Sequence, residues 1–306
     1  MLALALVALA ADPHPGHRLL AADRSTGRVA VVGRDGRVEW EFPNRHDVHD
    51  LHLLPNGNLL THTSHTTVVE VAPDKRVVWK YEAKPKPGYT GRVEVHSFER
   101  RPDGTTMVAE SGNARIVEVN PAGEVVKEVP LTVKRPNAHA DTRMVRTLAG
   151  GGYLVCHEAD GCVREYDAGG KVVWEYALSL GGRKPAGGHG PDGYGTSVYG
   201  AIRLKNGHTL IAGGNNHRVL EVTPDKRVVW SLEQNELPGV TLAWVTTLHA
   251  LPNGNIVVGN CHAGPDQPQL VEVTRDKKVV WQFRDFKLFG DNLAAAQVLD
   301  VPGAVR

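Results

Sequence analysis

The sequence lacks an excess of charge of either sign. Lys and Arg together number 35, against 34 Asp and Glu, and neither a basic stripe nor an acidic tail is present. Proteins that bind nucleic acid or anionic membranes by electrostatic attraction carry a basic surface. We therefore expect no nucleic-acid partner and no polyanionic ligand.

Helical periodicity and long hydrophobic runs are also lacking. After the first ten residues no run of about a dozen shows the 3.6-residue apolar period of a helix, whereas Gly and Pro number 33 and 19. The apolar run at residues 1–11 is too short to span a bilayer. It ends in the small-x-small pattern Ala8-Leu9-Ala10 of a signal peptidase site, although the positive n-region is missing. We predict an all-β protein without a membrane span, with a signal peptide at 1–11 and a tail at 12–17, located in the periplasm or secreted.

Cysteine is scarce, with three residues. Cys156 and Cys162 flank the sequence HEADG, which is typical of a hairpin loop, so they can face each other across two strands and form a disulfide. They can equally be two small buried hydrophobic residues. Cys261 would in either case be an unpaired thiol.

What the sequence does contain is internal repetition. A turn followed by a strand that ends in tryptophan recurs as DGRVEW at 35–40, PDKRVVW at 73–79 and 224–230, GGKVVW at 169–174, and RDKKVVW at 275–281. A second turn recurs as LPNGN at 54–58 and 251–255, with relatives RPDG at 101–104 and LKNG at 204–207. Asn-Gly and Asp-Lys turns join adjacent antiparallel strands.

Each repeat unit predicts four short strands, A to D. The tryptophans at 40, 79, 174, 230 and 281, with Lys127 in the position of a sixth, are 39 to 56 residues apart. Four strands at this period are typical of a β-propeller blade. The first unit lacks its inner strand, and residues 293–303 resemble an inner strand that has no partners after it. We therefore predict a six-bladed β-propeller in which the C-terminal strand completes the N-terminal blade.

The predicted domain is a single propeller over residues 18–303. Its blades comprise residues 18–42 with 293–300, 47–83, 92–130, 140–177, 196–233 and 243–284.

Histidines concentrate on one face of this predicted propeller. The D-to-A and B-to-C loops share a face, and they vary in length and composition, as binding loops on a rigid scaffold do. Of the 15 histidines in the chain, ten fall on this face: His46, His49, His62, His65, His96, His139, His157, His189, His217 and His262.

The ring of inner-strand starts supplies the candidate catalytic residues His49, His96, His139 and Arg143. A neutral imidazole can act as nucleophile or base, while a guanidinium holds the oxygens of an anionic group. The candidate ligand-binding residues on the same face are Asp47, Glu94, Asp141, Tyr199, Asn113, His157, Asn215, His217 and His262. The same imidazoles and carboxylates can hold a divalent metal, but no HExxH motif is present, so we predict no metal ligands and no cofactor.

The segment HDLHLLPNGN (49–58) followed by VVEVAPDKRVVW (68–79) resembles the propeller repeat of the arylsulfotransferase family, and more loosely the repeat of PQQ-type quinoproteins. The resemblance covers residues 46–284. It implies an exported six-bladed enzyme that moves a sulfuryl group between phenols through a histidine intermediate, with His49, His96 and Arg143 in the funnel. Quinoprotein dehydrogenases have eight blades, so the resemblance does not extend to PQQ binding.

Three functions remain open on the sequence. The first is a monomeric, non-catalytic module that binds a protein or a small anionic or phenolic ligand, because propellers commonly present one face for recognition. The alternative is arylsulfotransferase-like sulfuryl transfer through a funnel histidine. The further alternative is a metal-dependent hydrolase or lyase.

Overall fold

The computed structural model describes residues 16–306, in which 24 β-strands form six four-stranded antiparallel sheets and no α-helix is present. The sheets are the blades of a six-bladed β-propeller, as the repeats predict. The predicted signal peptide lies outside the described residues. Within residues 16–306 no helix is long and apolar enough to cross a membrane.

The blades follow one another in chain order. The first contains β1 (Leu19–Asp23), β2 (Arg28–Val32) and β3 (Val38–Pro43). The next five contain β4 (His52–Leu53), β5 (Leu59–His62), β6 (Thr67–Val71) and β7 (Val77–Glu82); β8 (Glu94–Arg100), β9 (Thr106–Ser111), β10 (Arg115–Val119) and β11 (Val125–Pro130); β12 (Val145–Thr147), β13 (Tyr153–His157), β14 (Cys162–Tyr166) and β15 (Val172–Ala177); β16 (Gly200–Arg203), β17 (Thr209–Ala212), β18 (Val219–Val222) and β19 (Val228–Leu232); β20 (Trp244–Ala250), β21 (Ile256–Cys261), β22 (Leu270–Val273) and β23 (Val279–Phe283).

The ring is closed by β24 (Leu293–Val298), which is the inner strand of the first blade. It pairs antiparallel with β1, with Leu19 opposite Val298 and Ala21 opposite Ala296. The pairing joins the two ends of the chain in one sheet and leaves β1 without a free edge, which protects it from pairing with another chain. The predicted closure is confirmed.

The repeated turns have the backbone conformation that their residues favour. Gly57 and Gly254 in the two LPNGN turns have φ of 82° and 89°, in the left-handed region that glycine enters without steric cost. The lysines of the Asp-Lys turns enter the same region, with φ of 71° at Lys75 and 70° at Lys226. These turns all lie between strands A and B or C and D, on the face opposite the variable loops.

Three of the outer-strand tryptophans, Trp40, Trp174 and Trp230, connect neighbouring blades by hydrogen bonds. The indole Nε1 of Trp40 donates to the carbonyl oxygen of Pro73 in the next blade at 2.9 Å, and Trp174 donates to Pro224 at the same distance. Lys127 takes this position in the third blade, where its Nζ lies 5.7 Å from the ring centre of Tyr153 in the fourth. The repeated outer-strand position therefore joins each of these blades to the next.

The two cysteines that flank HEADG form no disulfide, and all three cysteines of the chain are free and buried. In the hairpin Cys162 lies opposite His157, whereas Cys156 lies opposite Val163. Successive side chains on a strand point to opposite faces, so the two thiols lie on opposite faces of the sheet. They are small buried hydrophobic residues, which is one of the two outcomes left open by the sequence.

Candidate functional site

A cavity of about 530 Å³ opens on the face that carries the variable loops. Its walls come from several blades, so that short segments far apart in the sequence share one space. We call it the funnel cavity, and it is lined by Arg24, Asp47, His49, His65, Arg92, His139, Arg143, Glu158, His189, Tyr199, Trp244, Cys261, His262, Asn292 and Ala294.

Glu94, His96 and His139 form a cluster at one side of the funnel cavity. Their ligand atoms all lie within 4.8 Å of one another. Oε2 of Glu94 is 3.0 Å from Nε2 of His96 and 2.9 Å from Nδ1 of His139. Glu94 and His96 are buried, whereas His139 is exposed to the cavity.

The tautomer of His96 is fixed by the backbone. Its Nδ1 lies 2.9 Å from the carbonyl oxygen of Thr142, which can only accept, so Nδ1 carries a proton. Burial and the Arg143 guanidinium lower the pKa of His96 to about 4, so the ring is neutral at pH 7. Nε2 therefore presents a lone pair to a Glu94 carboxylate oxygen. Two acceptors 3.0 Å apart repel each other unless a proton or a metal cation lies between them.

The carboxylate of Glu94 is ionised although it is buried. Burial opposes ionisation, but a hydrogen bond from His139 and the adjacent His96 ring hold the pKa of Glu94 well below its usual range. Arg92 contacts its other oxygen, and Nδ1 of His65 lies 3.6 Å from Oε2. The Glu94 carboxylate and the imidazoles of His96, His139 and His65 thus lie around one small volume.

A β-bulge places His96. In the pairing of β8 with β9, Val95 lies opposite Glu110 and Ser97 opposite Ala109, so His96 is the extra residue. Bulges change the direction of a side chain and are frequent beside active sites. His96, at this bulge, lies on the same side as Glu94 and contacts it.

Next to this cluster, Arg143 is buried and holds His49 in one tautomer. Nη1 of Arg143 lies 3.1 Å from Nε2 of His49, and Nε of Arg143 donates to Oε2 of Glu158 at 2.5 Å. Because a guanidinium can only donate, Nε2 of His49 accepts and its proton is on Nδ1. Burial and the Arg143 charge hold the pKa of His49 well below its usual range, so His49 is neutral.

Tyr199 is the partner of that proton. Nδ1 of His49 lies 3.1 Å from the Tyr199 hydroxyl oxygen, which accepts the hydrogen bond. Burial raises the pKa of Tyr199 above its ordinary value, so the side chain stays a phenol. Since His49 supplies the proton of this contact, the Tyr199 hydroxyl can donate its own proton into the funnel cavity.

The opposite wall is aromatic. The ring of His189 packs edge-on against Trp244, with ring centres 4.6 Å apart, and stacks on His262 at 5.1 Å. His262 has a φ of 60°, which is uncommon for a residue with a side chain. Burial and His189 lower its pKa.

The structure brings the four candidate catalytic residues together. Of the candidate ligand-binding residues, Tyr199, His262 and Asp47 line the funnel cavity, and Glu94 lies behind His139. Asp47 is at the rim, where it pairs with Arg24 at 2.6 Å.

Five other candidate residues lie away from the cavity and hold loops. Ser111 and the amide of Gly112 donate to buried Asp141 at 2.5 and 2.9 Å. His157 is buried between a backbone carbonyl and the hydroxyl of Tyr166. The remaining three bond mainly to the backbone of neighbouring loops: Asn113, Asn215 and His217.

Sequence reasoning missed Arg24, Arg92, Asn292 and the cavity position of Cys261. A signal was present for Arg92, because the alternation Arg92-x-Glu94-x-His96 favours one face of a strand. The other three come from blade ends that the repeat does not align.

The fold and site define a six-bladed β-propeller with a polar funnel. No protein-family model and no curated protein matches the sequence. The arylsulfotransferase resemblance is therefore not confirmed.

Among solved structures, a protein of unknown function from Bacteroides caccae is 26% identical, covers 92% of this chain and 98% of its own, and gives a TM-score of 0.75. A catalytically inactive histidine-to-alanine variant of virginiamycin B lyase from Staphylococcus aureus, with quinupristin, is 10% identical over 89% of this chain and 86% of its own, with a TM-score of 0.57. BBS1N in complex with ARL6DN is 15% identical over 96% of this chain and 85% of its own, with a TM-score of 0.52. The last two similarities concern the fold alone.

Proposed function

We propose that the protein is a metal-dependent hydrolase or lyase that binds a divalent cation between Glu94, His96 and His139. The observation that carries the proposal is the lone pair of His96 Nε2 directed at the ionised Glu94 oxygen, 3.0 Å away. A cation against these atoms would remove an unfavourable contact and add a partner at Oε2, while Arg92 contacts the other oxygen of the buried carboxylate.

The ligand set suits a catalytic metal. Two imidazoles and one carboxylate bind zinc and similar ions in catalytic sites that leave a position open for substrate. His139 is exposed to the funnel cavity, so the open position of the ion would face that space. The carbonyl of Thr142 orients His96 from behind, as outer groups orient ligating histidines in metal sites.

The proposed chemistry divides between the ion and the protein. A divalent ion held by Glu94, His96 and His139 would polarise a carbonyl or ester oxygen of the substrate. Tyr199 would give its proton to the leaving group as the bond to the substrate breaks, because its hydroxyl accepts from His49 and keeps its own proton for donation. It would regain a proton from the water that adds in hydrolysis, or from the carbon that becomes part of the double bond in elimination. Arg143 and Glu158 hold His49 in the tautomer that this requires.

Sulfuryl transfer through His49 or His96 is less well supported by the geometry. A histidine nucleophile needs a free nitrogen lone pair directed at the substrate. Both ring nitrogens of His49 are engaged by Arg143 and Tyr199, and those of His96 face Thr142 and Glu94.

The test uses purified protein stripped with chelator and reloaded with Zn²⁺, Mn²⁺ or Mg²⁺. We expect one ion to bind stoichiometrically and to activate cleavage of at least one member of a panel of p-nitrophenyl acetate, phosphate and sulfate esters, or of a β-substituted ester that can eliminate. Elimination leaves a double bond that absorbs in the ultraviolet, and hydrolysis incorporates solvent oxygen. Stoichiometric binding that survives in Glu94→Gln and His139→Ala would contradict the assigned site.

The matched control is His208→Ala. His208 also contacts a glutamate, Glu221, at 2.7 Å, but it lies in an A-to-B turn, on the face opposite the funnel cavity. Its replacement should leave ion binding unchanged.

We also propose export, which depends on the apolar segment 1–11 alone. Cell fractionation of the full chain beside a chain starting at residue 12 tests it. Retention of both in the cytoplasm would contradict export without affecting the proposed chemistry.

A further inference from the structure

The funnel cavity has two walls of different chemistry. One carries the charged cluster around Glu94 and the pair formed by Tyr199 and His49. The other carries Trp244, His189 and His262, whose rings contact one another. A substrate held by the proposed ion has to rest its remaining part against this second wall.

Trp244 differs from the other tryptophans of the chain. The other five, of six in total, lie on the outer strands β3, β7, β15, β19 and β23, where they join blades. Trp244 begins the inner strand β20 and lines the cavity. The blade junctions therefore do not explain a tryptophan at this position, which packs with Tyr199 and Cys261 and presents a small part of its surface to the cavity.

The histidines of this wall are open for contact. Neither ring of His189 and His262 is hydrogen-bonded through its nitrogens to another residue within the described part of the chain, and His189 is exposed. His262 keeps its left-handed backbone because its amide donates to the Asp291 carbonyl at 2.9 Å, and the Gly264 amide donates to the Asp291 carboxylate at 2.9 Å.

His189 stands at the tip of a loop that is fixed below it. The backbones of Ala186 and Tyr194 bond to each other in both directions, at 2.9 and 2.8 Å. Gln234 donates to the carbonyl of Pro191 at 2.7 Å. These bonds hold the base of the loop, so that the His189 ring is presented to Trp244.

We propose that Trp244, His189 and His262 form a subsite for an aromatic ring of the substrate. The substrate would be a small molecule that carries an aromatic ring at one end and, at the other, an oxygen group that binds the ion. The second part of this inference rests on the proposed function. Aromatic pairs prefer edge-to-face or offset stacking, and the angled rings of Trp244 and His189 offer both to a third ring.

The test measures binding of 2-naphthol and of decahydro-2-naphthol, its saturated counterpart, by calorimetry in the presence of chelator. We expect 2-naphthol to bind up to about tenfold more tightly. Contact between aromatic rings increases the affinity by up to about this factor over what the buried area alone would give. Trp244→Leu should lose that preference and Trp244→Phe should keep most of it. Trp230→Leu, on an outer strand, is the control and should bind as the parent does.

Equal binding of the two probes to the parent protein, or an unchanged preference in folded Trp244→Leu, would overturn the subsite. The chelator keeps this outcome separate from the proposed function. A protein that binds no metal but prefers 2-naphthol through Trp244 retains the subsite, and one that binds metal without this preference retains only the metal site.

Discussion

Nη1 of Arg143 lies 3.1 Å from Nε2 of His49, and this contact determines where the proton of His49 resides. A neutral histidine carries one proton, so the lone pair accepts from Arg143 and Nδ1 donates to Tyr199. The buried guanidinium of Arg143, whose charge Glu158 neutralises, therefore determines which nitrogen of His49 carries the proton and which oxygen accepts it.

Replacement of Tyr199 by phenylalanine should abolish its proton donation. We expect kcat for a substrate with a poor leaving group to fall by about 10²- to 10⁴-fold, the usual contribution of a positioned acid. Ion affinity should stay within about twofold, because Tyr199 contacts none of the three proposed ligands. Tyr176→Phe, on the outer strand β15, is the matched control. An equal loss with a substrate whose leaving group needs no proton would contradict the assignment.

Replacement of Arg143 by methionine should destabilise the fold. Its side chain and that of Glu158 are 4% and 10% exposed, so the change leaves a buried carboxylate without its partner. Breaking one side of a buried pair costs about 3 to 5 kcal/mol of unfolding free energy. The double variant Arg143→Met/Glu158→Leu should recover most of it in urea unfolding. A double variant as unstable as the single one would show that Arg143 acts through other contacts.

The same replacement should change the titration of His49. The positive charge of Arg143 is, after burial, the main reason that the pKa of His49 lies below its usual range. In Arg143→Met the pKa of His49 should rise, which NMR titration of the imidazole resonances measures. A pKa that stays or falls would contradict the proposed electrostatics.

His17 should contribute stability that depends on pH. Burial lowers its pKa, but hydrogen bonds and charges from Glu272 and Asp300 outweigh burial and raise it above its ordinary value. The folded state thus binds this proton more tightly than the unfolded state. Its stabilisation is full below the unfolded pKa of about 6.5 and is lost as the pH rises through the higher folded pKa.

We therefore expect the difference in unfolding free energy between the parent and His17→Gln to shrink as the pH rises above about 6.5. Urea unfolding at several pH values checks this. A difference that grows with pH would mean that His17 is neutral in the fold.

The sequence predicted the fold through its repeated turns. Asn-Gly and Asp-Lys turns and the outer tryptophans recur because each blade packs against its neighbour in the same way. In the third blade Lys127 replaces the tryptophan, and its charge lies over the ring of Tyr153. The closure by β24 followed from the first unit lacking an inner strand.

The candidate site was predicted in part. The loop pattern predicted which face of the propeller carries the histidines. It did not predict which side chains reach the cavity, because a shift of one residue along a strand turns a side chain to the opposite face. His96, which is buried beside the cavity, is the extra residue of a bulge that the repeat pattern does not predict. His157 and Asp141, equally polar, turn into the blades because neighbouring loop groups satisfy their hydrogen bonds. Such partners depend on the loop paths, which vary between blades.

The most direct test of the account is ion binding by the parent protein and by Glu94→Gln after chelation. Glutamine keeps the shape of the side chain and removes its charge. We predict that the parent binds one divalent ion and that Glu94→Gln binds it at least about 10- to 100-fold more weakly. A loss of that size is usual when a group that only orients a metal ligand is changed. Equal affinity of the two proteins, or no ion bound by the folded parent, would contradict the proposed metal site.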